Sequence, residues 1–71
     1  MADSVYAVSE IVGTSTESWE RAVRNAVETA SKSLRDLRIA EVMELDVTIE
    51  DGTVHTYRAR VKVSFKYESS D

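Results

Sequence analysis

From Val54 to Tyr67 the chain alternates between apolar and polar positions almost without fault. His55, Tyr57, Ala59, Val61, Val63, Phe65 and Tyr67 fall on one side, and Thr56, Arg58, Arg60, Lys62, Ser64 and Lys66 on the other. Side chains alternate faces along a strand, so this segment reads as a β-strand with one apolar and one basic face. A strand that long is unusual, since strands commonly run to about 5–6 residues. It forms the second arm of a hairpin spanning Ile39 to Tyr67. The first arm alternates cleanly in its later half, with Met43, Leu45, Val47 and Ile49 set against Glu44, Asp46, Thr48 and Glu50. Its earlier half is out of phase, because Ala40 and Val42 are apolar where polar residues are expected. A bulge near Val42 would account for this. Departure of this segment from the sheet toward another surface is the preferred expectation.

Parity constrains the hairpin tip. A two-residue Asp51-Gly52 turn would set Leu45 opposite Arg58 and mix apolar with basic residues on one face, which a register must avoid. A three-residue loop of Glu50, Asp51 and Gly52 restores agreement. It sets Leu45 opposite Tyr57, Met43 opposite Ala59 and Glu44 opposite Arg58.

Upstream, Val5 to Val12 is apolar on both faces and predicts a strand, with Gly13 as its breaker. Trp19, Ala22, Val23, Ala26, Val27, Ala30, Leu34 and Leu37 then recur at three- and four-residue steps, the signature of an amphipathic helix. Ser15 is the expected N-cap, and the helix is expected to end near Leu34 to Asp36. Trp19 lies on the stripe and reads as a packing residue at the helix start. The opposite helix face carries Glu20, Arg21, Arg24, Glu28 and Lys32. The predicted architecture is α+β, in the order β-α-β-β, with a three-stranded antiparallel sheet packed on one amphipathic helix. The second sheet face then carries Glu44, Asp46, Arg58, Arg60 and Lys62.

Length changes how this pattern is read. A chain of 71 residues is one domain, residues 1–71, and domains near this size bury only about 60% of the surface their unfolded chain exposes. Disulfides, metals or oligomerisation usually supply the missing stability. With no Cys and a single His, disulfides and multi-histidine zinc sites are excluded, and self-association remains. No apolar run approaches the ~20 residues of a membrane span, and the N-terminus lacks a signal-peptide pattern. A soluble cytoplasmic protein without a membrane partner is expected. The net charge of −4 argues against a nucleic-acid partner.

Catalytic chemistry finds no footing. No nucleophile stands with a base, and His55 near the hairpin tip reads as a solvent-facing residue. Gly13-Thr14-Ser15 lacks the second Gly and the Lys of a phosphate loop, so helix capping is its reading. The basic face can bind anions through arginine forks, the more so when symmetry gathers copies about an axis. The carboxylates of Glu41, Glu44, Asp46, Glu50 and Asp51 can hold a hard cation in the same way, with no particular metal ligands identified.

The segments EIVGTSTESWERAVRNAVETA, LRDLRIAEVMELD and TYRARVKVSF, in this order and spacing, resemble the dodecins from Val5 to Tyr67. The resemblance implies a β-α-β-β fold and a hollow homododecamer of cubic symmetry. It also implies a non-enzymatic role in sequestering a small-molecule ligand, by default a flavin (riboflavin, FMN or FAD). In flavin-binding members a Trp precedes the Ala/Phe-Glu-Val of the second strand and stacks on the flavin ring; here that position is Ile39. A ring-contacting Gln of the third strand is here Arg58. The Ile and Arg combination looks more like the calcium-dodecin branch, which implies a flavin-less alternative holding calcium or a phosphate-bearing cofactor at symmetry axes. A shell without a specific ligand is a further alternative. The resemblance makes Ile39 an apolar wall, Arg58 a polar or anion contact, Glu44 a ligand or metal contact, and Arg38 a neighbour lining the same region.

Overall fold

The structure, a computed structural model, describes residues 5–66. Tyr67, the expected end of the hairpin, lies outside the described residues. Strand β1 (Tyr6–Ser15) leads to helix α1 (Trp19–Ala30), and strands β2 (Leu37–Glu50) and β3 (Thr53–Lys66) form the hairpin. The sheet is three-stranded and antiparallel in the order β1-β3-β2. This is the expected α+β arrangement.

Small residues set the helix against the sheet. Ala22 and Ala26 are buried against Ala59, Val61 and Val63 of β3, with Ile11, Val23, Val27, Leu34 and Leu37 packed around them. Gly13 belongs to β1 and does not end it, contrary to the expected break. A Cβ at Gly13 would lie 2.1 Å from the Ala22 carbonyl oxygen and 2.8 Å from the Ala26 Cβ. Its missing side chain is therefore what lets α1 approach.

The helix boundaries differ from those expected. Ser18 is the N-cap: its backbone is extended and its Oγ accepts from the Arg21 N–H at 3.0 Å. Ser15 ends β1, and its Oγ accepts from the Glu17 N–H at 2.9 Å. The helix closes at Ala30, well before Leu34, because its bonding tightens: the N–H groups of Lys32 and Ser33 donate to the carbonyls three residues back. This tightened turn still carries Leu34 to the core, which is why the apolar period outruns the helix. Asp36, with φ of 59°, then reverses the chain in a conformation that Asp tolerates better than most residues.

The hairpin tip corrects the three-residue loop. Asp51 and Gly52 both have positive φ, 51° and 77°, as in a two-residue type I′ turn. Phase is restored elsewhere, by His55, an extra residue of β3 opposite the Thr48/Ile49 step. Leu45 therefore pairs with Ala59, not Tyr57, and Glu44 with Arg60, not Arg58. Met43 has no partner on β3, because it forms a bulge between Val42 and Glu44. That bulge places Ala40 and Val42 opposite Val63 and Val61, on the helix side. The early part of β2 therefore stays in the sheet, against the preferred expectation, and a second irregularity falls at Arg38.

One helix cannot cover this sheet. The molecule measures 56 × 20 × 14 Å with a radius of gyration of 14.9 Å, against about 11 Å for a compact domain of this length. Val42 and Leu45 on the helix side of β2 remain exposed.

Replacing Gly13 with Ala tests the close approach. Outside such contacts, removing a glycine from a regular element gains about 0.5–1 kcal/mol. Here the overlap should dominate and Gly13→Ala should cost about 1–3 kcal/mol, read as a lower urea midpoint.

Candidate ligand-binding face

The side of the sheet away from α1 is built in rungs by the strand register. Val8, Ser64 and Ile39 form one rung, followed by Glu10, Lys62 and Glu41, then Val12, Arg60 and Glu44, then Thr14, Arg58 and Asp46. The charged rungs are linked. The Arg58 Nε donates to Asp46 Oδ1 at 2.8 Å. The Arg60 Nε donates to Glu44 Oε1 at 3.2 Å and its Nη1 to Glu10 Oε2 at 3.1 Å. Arg60 on the central strand thus clamps both edge strands. The hydrogen bonds with Glu10 first, then Glu44, push the Arg60 guanidinium pKa above its ordinary value. Below these rungs the hydroxyls of Thr48 and Thr56 are hydrogen-bonded to each other.

Trp19 braces this ladder from the helix side. It meets Tyr57 edge-on, with ring centroids 5.1 Å apart at 76°. Its Nε1–H donates to the Asp46 carbonyl oxygen at 3.0 Å. The residue that anchors the helix start therefore also holds the backbone of the carboxylate that pairs with Arg58. The ring packs as the sequence suggested yet stays 40% exposed.

Ile39 stands on the same outer face, 66% exposed, beside the small Ser64, whose Oγ lies 3.4 Å from the Ile39 carbonyl oxygen as a donor. Arg38 and Ile39 border a hollow of about 150 Å³ also lined by Val27, Leu37, Ala40 and Val63. Arg58 and Glu44 lie on adjacent rungs. Ile39 is set apart: its partner Ser64 lies six residues along β3 from Arg58, roughly 20 Å at strand spacing. A single chain thus gathers Arg38 with Ile39 and Arg58 with Glu44, and a small ligand meeting both pairs needs more than one copy. Among the described residues, no three acidic or histidine side chains converge as metal ligands.

Glu10 was absent from the sequence-based site. Its signal was available: it is the only charged residue in β1, and a carboxylate on a strand that is otherwise apolar or small needs a partner.

A family model described as Dodecin matches residues 5–68. The calcium dodecin of Mycobacterium tuberculosis is 46% identical over 63 residues, 89% of each chain. A crystal structure of that protein, described as a calcium-chelating antigen with a novel calcium-binding site, matches with a TM-score of 0.81 at 43% identity, covering 94% of this chain and 96% of that one. The dodecin of Thermus thermophilus is 39% identical over 66 residues, 93% of this chain and 96% of the relative. The structure of the Streptomyces coelicolor dodecin matches with a TM-score of 0.92 at 43% identity, covering 99% of this chain and 100% of that one. The chain belongs to the dodecin family.

A double-mutant cycle on Arg58 and Asp46 measures how wet this face is. Side chains 37% and 51% exposed should couple by about 0.2–1 kcal/mol. The coupling should fade in 1 M salt, where charges are screened within about 3 Å. A larger, salt-resistant coupling would mean that the pair is covered by another copy.

Proposed function

We propose that this protein is a non-enzymatic, cytoplasmic homododecamer that sequesters a small ligand between its subunits. The observation that carries the reading is the uncovered hairpin. Its helix side leaves Val42 and Leu45 exposed, while its outer face is a charge ladder, in which Arg58 pairs with Asp46 and Arg60 with Glu10 and Glu44, that ends in the apolar Ile39. Such a surface gains by association, and the charged residues then line the space between copies. The family default is a flavin, with Ile39 as apolar wall, Arg58 and Arg38 as polar contacts, and Glu44 beside them.

A second reading, calcium in place of flavin, is favoured by two observations. The chain is 46% identical to a protein named calcium dodecin, and Ile39 offers no π-face. Glu44 is the leading carboxylate in this reading, completed by copies across a symmetry axis, because one chain alone assembles no metal cluster among the described residues.

Riboflavin titration separates these readings. Stacking on an aromatic ring is worth about 1–3 kcal/mol, so Ile39→Trp should tighten riboflavin binding roughly 5- to 150-fold and quench its fluorescence strongly. Native protein that quenches as well as the variant would remove Ile39 from the site, and no quenching by either would remove flavin. In the calcium reading, saturating calcium should raise the melting temperature and chelator should reverse it. Occupancy at 100 times Kd would add about 2.7 kcal/mol.

A further inference from the structure

We propose, resting on the small-ligand reading above, that Lys62 is the residue that recognises charge on a ligand lying against Ile39. It selects ligands whose apolar, planar body carries an anionic group such as a phosphate.

The cations of the outer face differ in what they already hold. Arg58 is bonded to Asp46 at 2.8 Å, and Arg60 to Glu10 at 3.1 Å and Glu44 at 3.2 Å. An anion reaching either guanidinium must first displace a carboxylate that already accepts a charge-assisted bond. Lys62 stands opposite Glu10 on β1 and Glu41 on β2, but Glu10 is held by Arg60. Among the described residues the ion pairs belong to Arg21, His55, Arg58 and Arg60, and Lys62 joins none of them. It is nonetheless half-buried. A cation that is partly withdrawn from water and has no partner attracts an anion more strongly than one in open solvent.

Position ties Lys62 to Ile39. The next rung is Val8, Ser64 and Ile39, and Ser64 lies two residues from Lys62, about 7 Å along β3. Val8 and Ile39 are 60% and 66% exposed, and the serine between them is small. The rung is therefore a shallow apolar trough with a hydroxyl at its floor. An aromatic body can lie across it while a charged substituent meets the ammonium. Lysine is a compact charge with three donors on a flexible stem, and it suits a phosphate without fixing one orientation. Glu41, on the other side of Lys62, opposes the same anion. The rung thus holds one charge that attracts the anion and one that repels it, and removing each should act in opposite directions.

FMN and riboflavin differ only in a phosphate, so the ratio of their dissociation constants reads this contact. Both are titrated by flavin fluorescence into the Ile39→Trp variant, taken as parent. FMN should bind more tightly than riboflavin, and the preference should shrink at high salt. Added to this parent, Lys62→Gln should lower the preference at least about fivefold, Lys62→Arg should retain it, and Glu41→Gln should raise it about two- to fivefold. Circular dichroism and sedimentation identify any variant that does not fold or assemble as the parent does. Should Lys62→Gln be one, Glu41→Gln carries the test, and an unchanged preference there overturns the assignment. If both flavins bind and Lys62→Gln leaves the preference unmoved, or only Arg38→Gln or Arg58→Gln abolishes it, Lys62 does not read the charge and the small-ligand reading stands. If the parent binds neither flavin, the Ile39 site and the role of Lys62 fall together.

Discussion

The approach of α1 to the sheet at Gly13 is the constraint on which the remaining structure depends. Ala22 and Ala26 lie directly over it, and a single added methyl group would collide with the helix backbone. Because the seam is alanine against glycine and valine, the core has, among the described residues, no buried side chain larger than Val61 or Val63. Small side chains bring the layers close but remove little area from water, and apolar stabilisation follows area at about 25 cal/mol per Å². Length adds a second limit. A helix of 12 residues is about 18 Å long, whereas strands of 14 residues reach about 46 Å. The fold thus secures one end of the ribbon and leaves the remainder to be covered from outside.

The charged face responds to that exposure in its own way. Arg58 and Arg60 stand on the central strand, so each can reach across, and Arg60 reaches both ways. Exposed pairs of this kind add little to folding. Their stronger effect is on register, because sliding β2 by one residue would bring apolar side chains opposite the guanidiniums. Trp19 joins this polar layer to the apolar one by donating to the Asp46 carbonyl. A change at the helix start is therefore felt on the far side of the sheet.

Much of this was legible in the chain. Alternation in β3 and the three-and-four spacing in α1 located both elements and assigned their faces, since burial acts on each residue independently of the details at the ends. Parity excluded Leu45 opposite Arg58, and that pairing is indeed absent. Parity alone does not distinguish an odd loop from an even turn followed by a bulge, so His55 was overlooked and the pairing shifted by two residues. The Asp-Gly dipeptide, which strongly favours the two-residue turn, was the better guide. The bulge at Met43 was one of two readings open near Val42, because a bulge and a change of direction leave the same broken phase, and the less favoured of the two is the one observed. The helix end escaped notice because Ser31 to Ser33 contain neither Gly nor Pro. In the candidate site, local pattern placed Arg58 and Glu44 near one another and on one face. The distance between Ile39 and Arg58 depends on register accumulated over three rungs, which no short-range signal carries.

The irregularities at Arg38 and Met43 have a consequence for the single chain. β2 is a long outer strand with an unpaired row of backbone groups, and a straight apolar edge of that kind templates the growth of fibrils. Two interruptions within one strand increase its coiling and break the row into short lengths. The β2 flank of a single chain is therefore a poor template for strand-by-strand growth. Only a partner whose surface follows the same curve gains the full contact, so the irregularities that obscured the sequence pattern also select against the wrong polymer.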